Sequence, residues 1–220
     1  YKRQYYNCMS GSKINVAKQA IDYIKDKLHP EMILGIGTGS TVNFFIEELK
    51  DLRNNFAGAV SSSEASSRLL SENGIEVFNL NDISEIAFYI DGADEVAPNR
   101  ELIKGGGGAH TREKIVASAA KEFICIVDDS KIVTKLGAFP LPVEVIPESR
   151  SLVARRIVSM GGVPEYRAGF TTDQGNQILD VREIDISDPI ELESLLNTIP
   201  GVVDNGIFAF NKPSVVLISK

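Results

Sequence analysis

Apolar residues recur near the start of the chain with the spacing of an amphipathic helix. Over residues 13–28, Ile14, Ala17, Ile21, Ile24 and Leu28 stand three or four positions apart and form one stripe. Such a stripe needs a sheet to cover. Pro30 closes the segment, Met32-Ile33-Leu34 reads as a short strand, and Gly35-Ile36-Gly37-Thr38-Gly39-Ser40-Thr41 leads into a second stripe of Val42, Phe45, Ile46, Leu49 and Leu52. The pattern is strand, glycine turn, helix. Further strand-like runs fall at 57–60, 75–78, 86–90 and 123–127, and helical stretches at 64–73 and 111–121 separate some of them. Alternating strand and helix predicts an α/β fold, with a largely parallel sheet, helices on both faces and ligands beyond the carboxyl ends of the strands.

The pattern changes after Lys135. Phe139-Pro140-Leu141-Pro142-Val143-Glu144-Val145-Ile146-Pro147 holds three prolines, which argues against a central strand. A helix is expected around 152–160, strands at 163–168 and 177–186 about an Asp173-Gln174-Gly175-Asn176 turn, a helix at 189–197 and a strand at 202–210. These make a smaller α+β unit. Val215-Val216-Leu217-Ile218 is wholly apolar and is expected to rejoin the first sheet. The division is therefore a main domain of residues 9–134 and 211–220 and a small domain of 135–210.

Composition narrows the function more than the fold. No apolar run approaches the ~20 residues of a membrane span, and a net charge of −7 argues against broad nucleic-acid binding. Any bound anion is expected to be small. Only Cys8 and Cys125 are present, in unrelated contexts, so no disulfide framework is expected. Residues 1–8 lack the apolar stretch of a secretory signal, and cytoplasm is the default location. With Met9 as an alternative start, those eight positions stay outside the functional reading.

Three segments can carry chemistry. The 35–41 turn offers helix N-terminal amides and the hydroxyls of Thr38, Ser40 and Thr41 to a phosphate, or it is a plain tight turn with a helix cap. It lacks the Gly-Lys-Ser/Thr of a nucleotide loop, and the next strand ends in Ser61-Ser62-Ser63, not in the acid that holds a nicotinamide ribose. Those serines can contact sugar hydroxyls or cap the following helix. Asp91-Gly92-Ala93-Asp94-Glu95 sets carboxylates at a strand's carboxyl end, suited to acid/base work but equally to a solvated turn or a divalent metal. Lys104-Gly105-Gly106-Gly107-Gly108 then precedes a helix that carries Glu113. Four glycines are costly to order; amides that must lie against a developing negative charge explain them, and so does a hinge. With only His29 and His110, a histidine metal site or a Ser-His-Asp triad is poorly supported.

Taken in order, GIGTGST (35–41), VSSSEAS (60–66), DGADE (91–95), KGGGGAHTREK (104–114) and FPLPVEVIP (139–147) resemble the ribose-5-phosphate isomerase A family. GGVPEYR (161–167) and IPGVVDNGIF (199–208) extend the resemblance from about Lys13 to the end of the chain. It implies a Rossmann-like main domain with a small ferredoxin-like domain, and interconversion of D-ribose 5-phosphate and D-ribulose 5-phosphate in the non-oxidative pentose phosphate pathway. It further implies no metal or organic cofactor, and a homodimer or homotetramer. By motif, Glu113 corresponds to the base that moves a proton between C1 and C2. Lys104 and the amides of Gly105, Gly106 and Gly107 correspond to the groups that stabilise the enediolate. Asp91, Gly92, Ala93 and Asp94 correspond to the sugar-contacting segment, with Asp91 assisting ring opening. Thr38, Gly39, Ser40 and Thr41 match the binding loop, and Lys13 and Lys131 match phosphate-site lysines. His110 departs from the family pattern, which has an aliphatic residue there, commonly leucine.

Two other readings stay open at this level. One is a related sugar-phosphate or coenzyme A transformation on a similar scaffold; the other is a catalytically silent sugar-phosphate sensor.

Overall fold

The computed structural model describes the backbone of residues 2–219 and side chains from Gly11 to Ser219. Tyr1, Lys220 and the side chain of Cys8 lie outside the described residues. The elements in chain order are α1 (Lys2–Ile24), β1 (Ile33–Ile36), α2 (Ser40–Leu49), β2 (Gly58–Ser61), α3 (Glu64–Glu72), β3 (Ile86–Asp91), β4 (Glu95–Val96), β5 (Leu102–Ile103), α4 (His110–Ala119), β6 (Ala120–Asp128), β7 (Leu141–Val145), α5 (Arg150–Ser159), β8 (Val163–Tyr166), β9 (Gln177–Arg182), α6 (Pro189–Asn197), β10 (Val202–Asn205), β11 (Ile207–Phe208) and β12 (Val215–Ser219). The chain divides into two compact units. The first holds residues 1–92, 115–131 and 213–220; the second holds 93–114 and 132–212.

The first unit is built on a parallel five-stranded sheet of order β12-β6-β3-β1-β2. Alternate residues share one face of a strand, so Leu34 and Ile36, Phe88 and Ile90, and Ile124 and Ile126 point together. They meet the predicted α2 stripe of Val42, Phe45, Ile46 and Leu49, and on α1 Ala17 and Ile24 of the expected stripe together with Val16 and Ala20, which it did not include. Nearly all are sealed from solvent, and truncating a large one to alanine would cost about 2–5 kcal/mol. Cys125 is buried within β6 and forms no disulfide among the described residues. As expected, β12 rejoins this sheet, in register with Ile124–Asp128 of β6. The 75–78 segment is not a strand: it touches β2 only through an isolated Ala59–Val77 bridge.

The second unit contains two antiparallel sheets. The larger has order β10-β7-β9-β8, which makes β7 central despite its proline. That corrects the sequence reading, and the ladder explains how. Pro142 pairs with Asp180 of β9, while β10 has already ended at Asn205, opposite Val143. Pro142 therefore lacks an N–H only where the ladder has run out, and its carbonyl accepts from Gly206 N at 2.8 Å. The smaller sheet, β11-β5-β4, was not anticipated, and it divides the 202–210 segment between two sheets. Among the described residues, no helix is long and apolar enough to cross a membrane.

Candidate functional site

In the first unit, the turn between β1 and α2 is fixed by hydroxyls and by one carboxylate. Gly37 N donates to Ile90 O at 2.9 Å, which ties the turn to the neighbouring strand end. Thr38 Oγ1 lies 2.8 Å from both Ser62 Oγ and Ser63 Oγ, and Ser66 Oγ donates to Gly37 O at 2.7 Å. Asp91, wholly buried at the end of β3, accepts from Thr38 N at 3.1 Å, from Gly92 N at 2.7 Å and from the Tyr89 hydroxyl. Gly37 has to be glycine: a Cβ there would lie 2.0 Å from the Asp91 carboxyl carbon.

Beside this turn, Lys13 Nζ donates to Ser40 Oγ at 2.8 Å. Thr41 continues the first turn of α2, where amides have no intrahelical partner. Lys131 closes a short turn after β6 and has no hydrogen-bond or ion-pair partner among the described residues. Ser62 and Ser63 thus serve Thr38 and the start of α3, where Ser63 Oγ accepts from Ser66 N.

In the second unit the small sheet places two of the candidate residues. Asp94 directly precedes β4 and Lys104 directly follows β5; Asp94 N donates to Ile103 O, and Lys104 N to Gly206 O, each at 2.9 Å. Lys104 and Glu113 are both almost fully buried, and Lys104 Nζ stands 3.4 Å from Glu113 Oε2. Glu113 projects from the first turn of α4, where the helix dipole favours an anion. A buried ion pair is weak evidence for stability because desolvating both charges offsets their attraction. It is a usual arrangement where charge has to move. Lys104 Nζ also lies 5.5 Å from the Phe208 ring centroid.

The glycine run between them is held from several directions. Gly106 N donates to Asp94 Oδ2 at 2.8 Å, and Gly108 N to Gly105 O at 2.9 Å. Gly107 is exposed. Glu95, the last acid of the DGADE motif, is structural: its carboxylate accepts from Gly137 N and Phe139 N at 2.7 and 2.6 Å. Lys114 is bound by Glu193 and Asp204, both at 2.9 Å. Among the described residues, no group of three or more His, Cys, Asp and Glu is arranged to hold a metal ion.

His110 is fully buried against Gly105, and neither ring nitrogen has a hydrogen-bond partner of normal geometry. Burial lowers its pKa to about 4. The carboxylates of Glu144 and Asp204 act against that shift, Lys114 reinforces it, and the Asp204 backbone favours the protonated ring without making a full bond.

The model of the family ribose 5-phosphate isomerase A (phosphoriboisomerase A) matches residues 58–220. The chain belongs to this family. A ribose-5-phosphate isomerase A of Legionella pneumophila (strain Corby) is 56% identical over 211 residues, 96% of each chain. Among solved structures, ribose 5 phosphate isomerase A from Neisseria gonorrhoeae superposes with a TM-score of 0.92 at 48% identity, covering 96% of this chain and 93% of its own. A D-ribose-5-phosphate isomerase solved in complex with phospho-erythronic acid reaches a TM-score of 0.86 at 37% identity, over 94% of this chain and 93% of its own. Sequence reasoning missed two residues that contact the candidate segments of this ribose-5-phosphate isomerase A family member: Tyr89, whose hydroxyl donates to Asp91, and Arg167, which donates to Gly105 O and Gly106 O. Tyr89 carried a signal, since it lies two residues before Asp91 and so on the same face of β3; Arg167 carried none beyond its place in the GGVPEYR segment.

Proposed function

We propose that this chain interconverts D-ribose 5-phosphate and D-ribulose 5-phosphate by proton transfer through an enediolate. The observation that carries this reading is the buried Lys104–Glu113 pair at the two ends of a glycine run. Glu113 takes the proton from C2 of the open-chain aldose and returns it to C1, while the hydroxyl proton of the C2 oxygen passes to the C1 oxygen so that the C2 carbonyl forms. Charge accumulates on the C1 oxygen meanwhile, and an ammonium with backbone amides is suited to stabilise it. Without a substrate, Lys104 and Glu113 neutralise one another; with one, the lysine can turn to the oxygen and leave the carboxylate free to act as a base.

The remaining residues bind the part of the sugar that does not react. Lys13, Ser40, Thr41 and Lys131 hold the phosphate, with Thr38 and Gly39 shaping the turn; Asp91 assists ring opening, and Asp94 faces the sugar chain. Binding energy at the phosphate end positions the carbon acid. The ligand of the phospho-erythronic acid complex, a phosphorylated sugar acid, supports this class of ligand. In the same reading the reaction needs no metal, belongs to the non-oxidative pentose phosphate pathway in the cytoplasm, and is carried out by a homodimer or homotetramer.

The test is formation of ribulose 5-phosphate by purified protein, with and without a chelator, beside Glu113→Gln. Turnover that ignores the chelator and disappears in the variant is expected. A folded protein that binds the sugar phosphate without converting it would instead be a sensor.

A further inference from the structure

Arg167, just after β8, makes two different sets of bonds with one guanidinium. Its Nε and Nη2 donate to the two carboxylate oxygens of Asp180 in β9, at 2.8 and 2.5 Å. Its Nη1 donates to both Gly105 O and Gly106 O, each at 3.2 Å. The side chain is only 18% exposed. Phe170, whose ring lies 5.4 Å from the guanidinium, occupies the space where a Cβ on Gly108 would fall, 2.2 Å from that ring. Arg167 is thus fastened to the sheet on one side and grips two successive peptides of the glycine run on the other.

The direction of those peptides is the consequence. A trans peptide points its carbonyl and its N–H in opposite directions. Two carbonyls turned toward Arg167 therefore turn the Gly106 and Gly107 N–H groups away from it. The Gly106 N–H meets Asp94. The Gly107 N–H has no acceptor among the described residues, and Gly107 is exposed. A cation on the carbonyl also polarises the peptide and makes its N–H a stronger donor.

We propose that Arg167 is a positioning residue for the isomerisation: by holding the Gly105 and Gly106 carbonyls it aims the Gly107 amide at the oxygen that becomes negative in the enediolate. The inference rests on the isomerase reading of Lys104 and Glu113. A guanidinium is needed because its planar fork serves a carboxylate and two carbonyls together, which a lysine ammonium does not.

The experiment measures kcat and KM with ribose 5-phosphate for the unaltered protein, Arg167→Ala, Arg167→Lys and Glu113→Gln, each with and without millimolar guanidinium. Arg167→Ala is expected to lower kcat about 10- to 100-fold, less than the roughly 10²- to 10³-fold of removing an oxyanion donor outright because the amide is misaimed and not lost, while KM stays within about threefold. Added guanidinium is expected to restore several-fold of the lost kcat in Arg167→Ala and none in Glu113→Gln, a difference that a purely structural brace would not produce. If Arg167→Ala melts below the assay temperature, Arg167→Lys carries the test through the same fall in kcat at unchanged KM. A kcat within threefold of the unaltered protein in the folded variants overturns the proposal, as does a loss in folded Arg167→Ala that guanidinium does not relieve. If the unaltered protein shows no isomerisation, the isomerase reading itself fails and the proposal fails with it.

Discussion

The two glycine turns of this molecule are immobilised by different chemistry. The turn at 35–41 is held by neutral hydroxyls from Ser62, Ser63 and Ser66 and by the enclosed Asp91 carboxylate. The run at 105–108 is held by charges, with the Arg167 guanidinium on its carbonyls and the Asp94 carboxylate on an amide. Each has one amide on a carboxylate, so the contrast lies in the other partners: hydroxyls add no charge to the first turn, which suits, on the proposed function, a group unchanged by the reaction. Charged partners polarise the peptides they hold, which suits a run expected to meet a charge that appears and vanishes. On the proposed function, the difference separates a turn that anchors the substrate from a run that meets its developing charge.

The largest expected effect tests the reacting side. Glu113→Gln should lower kcat about 10²- to 10⁴-fold and leave substrate affinity by calorimetry nearly intact; near-normal turnover would remove Glu113 as the base. Next comes the anchoring side, where Gly37→Ala drives a Cβ against Asp91. Overpacking of that kind should cost about 1–3 kcal/mol in denaturant melts and raise KM. An unchanged KM would mean that Asp91 and the turn do not act together. Lys13→Ala should raise KM about tenfold, the cost of one charged hydrogen bond, with kcat little changed. An equal fall in kcat would assign Lys13 to chemistry instead of anchoring.

The smallest effect concerns His110 beside the reacting run. Its folded pKa of about 4 lies below the ordinary 6.5, so the unfolded chain takes up the proton first as pH falls. That contribution to stability is complete above about pH 6.5 and is lost progressively toward pH 4. His110→Leu should remove this slope, a gain of about 1–2 kcal/mol at pH 5 relative to pH 8. Parallel pH profiles for the two proteins would show that Glu144, Asp204 and Lys114 already fix the ring's charge.

The periodic parts of the fold were legible because their spacing follows from burial alone. The α1 and α2 stripes and the apolar runs of β3, β6 and β12 all face one core or one sheet. Segments that depend on distant partners were not. Pro142 sits in a central strand only because β10 stops one residue short of it, which no local pattern encodes. Strands as short as β4, β5 and β11 carry no period, yet they place Asp94 and Lys104. For the same reason the compact division assigns 93–114 to the second unit, although the expected small domain began at 135. Among the candidate residues, motifs supplied Asp91, Asp94, Lys104 and Glu113, while Tyr89 needed only the alternation of β3. Arg167 stands 61 positions from Gly106, beyond the reach of any spacing rule.

The place of β12 bears on how the chain is made. Ser12 and Ser219 are hydrogen-bonded across 207 positions, and the edge of the parallel sheet is supplied by residues translated only after the 132–212 segment. As the chain leaves the ribosome, β6 has β3 on one side and nothing on the other while the whole 132–212 segment is synthesised. Its Ile124–Val127 stretch, buried once folding is complete, is during that interval an open apolar edge of the kind that recruits other chains. The speed of elongation through the second unit therefore sets how long the nascent first unit stays vulnerable to aggregation.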